Sequence, residues 1–173
     1  LIDIGGATTD LHYTAEIVKE DSSDQPLPGA SVARYVFTDL GIVFSRDSTL
    51  QRLCSHPRLI EFLRQTYTTD LHDVCARLRV GVFEPTAECL SYACVFLALE
   101  RFVDGDGPGL PSADIRKVSQ FILTGGASQN LSEKTVASLI SLFFAGRGNE
   151  PTVVIDRQYR MWIDGISWMD RQT

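Results

Sequence analysis

Asp3, Gly5, Gly6, Thr8, Thr9 and Asp10 stand close together in the string Asp3-Ile4-Gly5-Gly6-Ala7-Thr8-Thr9-Asp10. These residue types at this spacing suit phosphate chemistry. Glycines let a backbone approach a ligand closely, because no Cβ intervenes. A tight turn of successive amide N–H groups makes an anion-binding nest. Thr8 and Thr9 offer hydroxyls to a phosphate oxygen. Asp3, at the end of an apolar strand, is placed to hold Mg²⁺ through water, since Mg²⁺ keeps most of its hydration shell. A new strand begins at once with Asp10-Leu11-His12-Tyr13-Thr14. The glycines are therefore expected at a hairpin tip and not at a helix start. The plain alternative is a glycine-rich hairpin with no ligand, because glycines mark turns anyway.

A second strand runs into glycines at Ile122-Leu123-Thr124-Gly125-Gly126-Ala127-Ser128. Here a helix follows, and helix N-termini favour anions and close ligand approach. On its own this pattern is explained equally well by helix–strand packing. Two such bends in one chain make a two-sided ligand site the stronger reading.

The elements that must position these bends are legible by period. Residues 11–18 continue the first hairpin, residues 20–29 read as an exposed loop with Pro26, Pro28 and Gly29, and residues 31–38 return as a strand. The expectation is a three-stranded antiparallel meander, ended by Asp39-Leu40-Gly41. Residues 57–67 and 70–78 carry apolar side chains on one helical face, and 47–80 reads as a small helical insertion. Residues 85–103 form the longest helix, apolar nearly all round and so buried on most sides. Asp104-Gly105-Asp106-Gly107-Pro108-Gly109 breaks it; its two aspartates lack the other ligands of a calcium loop. A strand over 118–124 follows, then a helix capped by Asn130 with Glu133 reaching back, running to about Ala145. A short buried strand over 152–155 and a last helix over 159–169 close the chain. Strands followed by strand–helix–strand crossovers imply a mixed five-stranded sheet covered by helices.

At 173 residues, 44% apolar, the chain suits one domain with a sizeable core. A net charge of −6 argues against a nucleic-acid surface. No apolar run is long enough to span a membrane. Cys54, Cys75, Cys89 and Cys94 show no Cys-x-x-Cys pair, so reduced structural thiols in a cytoplasmic setting are expected over a metal site or disulfide framework. His12, His56 and His72 lack metal-ligand spacing, and Trp162 and Trp168 read as packing residues. The chain opens directly on a core strand without an initiator Met, as a piece of a longer protein would.

The string at 3–10 resembles the second phosphate loop of the actin, sugar-kinase and heat-shock-chaperone ATPases, and 122–128 resembles their adenosine loop. A closer resemblance is to the MutL/GlmL family found with adenosylcobalamin-dependent glutamate mutase. It rests on residues 3–12, on 34–41 with Asp39-Leu40-Gly41, on Thr124-Gly125-Gly126, and on Ile155-Asp156-Arg157-Gln158-Tyr159 followed by Gly165. It spans the chain in order, although only the first motif is specific by itself.

The resemblance implies a ribonuclease-H-like lobe, the second half of an actin-like ATPase, with ATP and Mg²⁺ as cofactors. It implies that Asp3 orders Mg²⁺ waters, Gly5 and Gly6 face the phosphates beside Ala7 and Thr9, and Thr8 reaches the terminal phosphate. Asp10 would brace the hairpin or the attacking water. Gly125, Gly126, Ala127 and Ser128 would border the adenosine. The implied role is service of a cobalamin-dependent mutase, with ATP hydrolysis releasing damaged cofactor. Two other readings stand beside it: a lobe of a hydantoinase- or acetone-carboxylase-like subunit, and an assembly domain that keeps the fold without catalysis. Leu123 stands where the family usually has a further glycine, and the helix end at 100–105 lacks an expected His. The first phosphate loop, which belongs to the other lobe, is absent from this chain. The isolated lobe is therefore expected to bind ATP weakly and hydrolyse it negligibly.

Overall fold

The computed structural model describes residues 1–24, 32–67, 71–80, 86–144 and 151–158. Its centre is α4 (Thr86–Asp104), whose residues from Cys89 to Leu99 are all buried. A helix with apolar side chains all round must be wrapped by other elements, and here it is. One side meets the sheet: Tyr13 and Phe102 pack with ring centroids 4.6 Å apart. The other side meets the helices: Phe96 packs against His56 at 4.8 Å and Phe143 at 5.0 Å.

The sheet has five strands, β1 (Ile2–Ile4), β2 (Thr9–Thr14), β3 (Val32–Phe37), β4 (Gln120–Thr124) and β5 (Thr152–Ile155), in the order β3-β2-β1-β4-β5. β1, β2 and β3 form the expected antiparallel meander, while β4 pairs parallel with β1 and β5 parallel with β4. The α/β class and the mixed five-stranded sheet are as the sequence predicts. Alternation sorts the two faces. Ile2, Ile4, Leu11, Tyr13, Phe37, Phe121 and Leu123 are buried on the helix side. Asp3, Asp10, His12 and Arg34 share the opposite face through the register pairs Asp3↔Asp10 and His12↔Arg34.

α2 (Pro57–Tyr67) matches its predicted span, and α3 (Leu71–Val80) lies close to it. A further helix, α1 (Arg46–Cys54), opens this region. Leu50, Leu53, Leu59, Leu63 and Leu78 join the same buried cluster as the sheet. Asp39, just before α1, is held by Arg101 through bonds of 2.9 and 3.1 Å and by Arg52 at 2.6 Å. Burial alone would raise the Asp39 pKa, but Arg101 and Arg52 outweigh it and hold the carboxyl below its usual range.

Three local expectations change. β2 stops at Thr14, and Ala15–Ile17 make a 3-10 turn, because the chain leaves β3 to pair elsewhere: Val18 bridges Ala113, and Asp114 N–H donates to Ile17 O. α5 (Glu133–Ser141) is capped by Ser132, whose hydroxyl accepts from Thr135 N–H, not by Asn130. Glu133 instead accepts from Ile155 N–H at 3.4 Å, joining α5 to β5. α5 also ends at Ser141, short of Ala145. The helix predicted over 159–169 lies outside the described residues, as do the two tryptophans and the loop prolines. No helix among the described residues is long and apolar enough to cross a membrane.

Candidate functional site

β1 and β4 run parallel, with Asp3 opposite Thr124. Their C-terminal ends therefore lie side by side, and each runs directly into a glycine bend. In open α/β sheets such an edge is where ligands bind. The second bend packs against the end of β1. Gly125 has φ +88°, and a Cβ there would stand 2.3 Å from Asp3 Oδ1 and 2.5 Å from Ile4 O. Only glycine allows that approach with this backbone.

The first bend is a hairpin tip, closed by Gly5 N–H donating to Thr8 O at 2.9 Å. Its carbonyls are occupied from behind. Ile42 N–H donates to Gly5 O, Val43 and Phe44 N–H both donate to Gly6 O at 2.8 Å, and Ser45 Oγ donates to Ala7 O. The N–H groups of Gly6, Ala7 and Thr8 have no acceptor among the described residues. With the carbonyls engaged, these three amide hydrogens are the polar groups that the bend leaves over.

Residues 41–45 are held in turn by α1. Thr49 is fully buried, and its hydroxyl accepts from Gly41 N–H and donates to Gly41 O, both at 2.9 Å. Gly41 packs so tightly that a Cβ would meet Ala7 C and O at 2.7 Å. Thr49→Val keeps the shape and orphans the Gly41 N–H. It is expected to cost about 1–3 kcal/mol, read as a lower urea midpoint, with faster exchange of the Gly5, Ile42, Val43 and Phe44 amides.

The second bend follows the same plan. Gly125 O accepts from Ser128 N–H at 3.1 Å and from Ser128 Oγ at 2.9 Å, while Ala127 O accepts from Ser91 Oγ of α4 at 3.1 Å. The N–H groups of Gly126 and Ala127 have no acceptor among the described residues.

Asp3 and Asp10 face each other across β1 and β2. Burial first, and the Asp10 charge second, raise the Asp3 pKa, against the pull of His12 and Arg34. Arg34 donates to Asp10 Oδ2, whereas Asp10 Oδ1 is buried with no hydrogen-bond partner. His12 is shifted the other way, chiefly by burial, so its imidazole favours the neutral form. Among the described residues no group of three His, Cys, Asp or Glu side chains could hold a metal ion. A cation here would have one or two carboxylates from this chain, as Mg²⁺ sites beside phosphates usually do.

The structure brings Asp3, Gly5, Gly6, Ala7, Thr8 and Asp10 to one edge, with Gly125, Gly126 and Ala127 beside them. It treats two predicted residues differently. Thr9 is fully buried and its hydroxyl donates to Leu40 O, and Ser128 is fully buried and turned onto Gly125 O. Both brace the backbone of their bends. Strand alternation carries that signal for Thr9, since it pairs with Ile4 on the buried face. The supports Ser45, Thr49 and Ser91 escape sequence reading altogether, because single polar residues before or within helices carry no pattern. Burial lifts the Cys89 thiol to about 12 and that of Cys94 to about 11, so neither forms a nucleophilic thiolate at neutral pH.

A family model described as MutL protein matches residues 1–169 of the chain. No curated protein and no solved structure matches it.

Proposed function

The chain belongs to the MutL protein family, and on that premise we propose that it is the nucleotide-binding lobe of an actin-like ATPase. The whole protein would act as an accessory to an adenosylcobalamin-dependent mutase such as glutamate mutase. The observation that carries this reading is the placement of both bends at the adjacent ends of β1 and β4, with Gly125 packed against Asp3. The strand order, three antiparallel strands followed by two parallel ones, supports a ribonuclease-H-like lobe.

In this reading the Gly6, Ala7 and Thr8 amides donate to phosphate oxygens, and the Thr8 hydroxyl adds a donor at the terminal phosphate. Asp3 accepts from the waters of a bound Mg²⁺. That ion supplies neutralisation of phosphate charge. Asp10, anchored by Arg34 through one oxygen and with the other buried, braces the hairpin. The Gly126 and Ala127 amides face the nucleoside. This lobe supplies half of the clamp, so weak binding and negligible turnover are expected of it alone.

The experiment is an NMR titration of the ¹⁵N-labelled chain with Mg·ATP. The expected result is a shift of the Gly6, Ala7, Thr8, Gly126 and Ala127 amide signals, with millimolar affinity. Shifts confined to other residues, or none, would remove the nucleotide reading.

A further inference from the structure

We infer that Arg157 is a positioning residue, whose guanidinium locks the bend after β4 in the shape that receives the nucleoside end of the ligand. The assignment of that bend to the nucleoside rests on the reading above; the lock itself does not.

Arg157 follows β5 and reaches back across the sheet edge. Nη1 donates to Gln129 O, and Nη2 donates to Leu131 O at 2.8 Å. A planar guanidinium suits two such acceptors because its donors are fixed in a fork. Its neighbour fastens the same turn from the other arm. Asp156 N–H donates to Leu123 O at 2.8 Å, Thr124 Oγ1 approaches Asp156 Oδ2 at 3.5 Å, and Gln129 Nε2 donates to Asp156 O at 3.3 Å. Residues 156 and 157 thus grip both limbs of the bend, before Gly125 and after Ser128.

The other tethers lie nearer the glycines. Ser91 holds Ala127 O, and Ser128 folds back onto Gly125 O. Leu131 N–H donates to Ser128 O. None of these holds the carbonyls of Gln129 and Leu131. Without the guanidinium, those carbonyls would turn to water and the limb leading into α5 would loosen. The bend of Gly5 to Thr8 is braced from residues 41–49 instead and makes none of these contacts. The lock therefore acts on one side of the proposed ligand only, the side away from the phosphate nest.

The test compares the intact protein with its Arg157→Ala and Arg157→Lys variants by two readouts. The first is hydrogen exchange without ligand. The Ser128 and Leu131 amides of Arg157→Ala are expected to exchange about tenfold faster, the scale of a lost charge-assisted hydrogen bond, with the Gly5 amide unchanged. The second is affinity for Mg·ATP against Mg·tripolyphosphate. Arg157→Ala is expected to lose about tenfold for ATP and nothing for tripolyphosphate, and Arg157→Lys to recover part of the loss through one donor. Unchanged exchange at Ser128 and Leu131, or faster exchange throughout the molecule, would overturn the assignment. So would equal losses for the two ligands. If the native protein binds neither ligand, the nucleotide reading fails, and the exchange result alone decides whether Arg157 locks the bend.

Discussion

Gly125→Ala is expected to destabilise the fold by about 3–5 kcal/mol, the sum of backbone strain and overpacking. The strain arises because φ is +88°, a region L side chains rarely adopt. The overpacking arises because the new methyl would lie 2.5 Å from Ile4 O and 2.8 Å from Ile4 N, backbone atoms of a central strand. They have no side-chain freedom with which to yield. At about 2–4 °C per kcal/mol for a chain of this size, Tm should fall by roughly 10 °C. Gly109→Ala is the control. It has φ +71° with nothing within 4 Å of the added methyl, so it carries the strain without the clash and should cost about 1–2 kcal/mol. Thermal or urea unfolding of both variants measures the difference. Equal losses in the two would mean that β1 and the second bend are not in contact, and the composite edge would go with it.

The second large effect joins opposite signs in one variant. Asp3→Asn should raise stability at neutral pH while removing Mg²⁺-dependent nucleotide binding. The Asp3 pKa is raised, so the fold favours the protonated carboxyl. That preference stabilises fully below the ordinary value of 3.8 and is lost as pH rises through the higher folded value. At pH 7 Asp3 is an ionised, half-buried carboxylate opposite Asp10, and like charges on paired strand residues are destabilising. Asparagine relieves this for a gain of about 0.5–1 kcal/mol, and Tm should rise by about 1–4 °C. The gain should vanish in unfolding curves recorded below pH 3.8, where the native Asp3 is itself neutral. Loss of the charged acceptor should weaken Mg·ATP binding by about 10- to 100-fold. A site residue held in place against stability is the usual sign of a functional constraint. A variant that is stabilised and still binds Mg·ATP with full Mg²⁺ dependence would take Asp3 out of the proposed mechanism.

Much of this was legible from local pattern. The alternation of Ile2, Ile4, Leu11 and Tyr13 marked the buried face of β1 and β2, and the apolar run from Cys89 to Phe102 marked a helix enclosed on most sides. The glycine pairs named both bends, since a strand ending in two glycines leaves few local alternatives. α1 was not legible as a separate helix. Its buried positions are Thr49, Leu50 and Leu53, and a polar residue where the core contact falls breaks the apolar period. The cap of α5 was misplaced by two residues for a related reason. Asn130 and Ser132 are both good caps, and the choice depended on where Glu133 found its partner, which was β5.

By itself the sequence determined the fold class, the span of most elements and the residue types gathered at the two bends. Those follow from side-chain period and backbone freedom, which act within a few neighbours along the chain. Only the tertiary structure decided that the bends share one sheet edge, because that depends on β1 and β4 pairing in parallel across more than a hundred residues of chain. It likewise decided which amides were left without acceptors. The carbonyls of Gly5, Gly6 and Ala7 found their donors in residues 42–45, and those of Gly125 and Ala127 in Ser128 and Ser91. A hydrogen bond between distant residues leaves no periodic trace in either segment, and so the direction in which each loop faces could be read only from the folded chain.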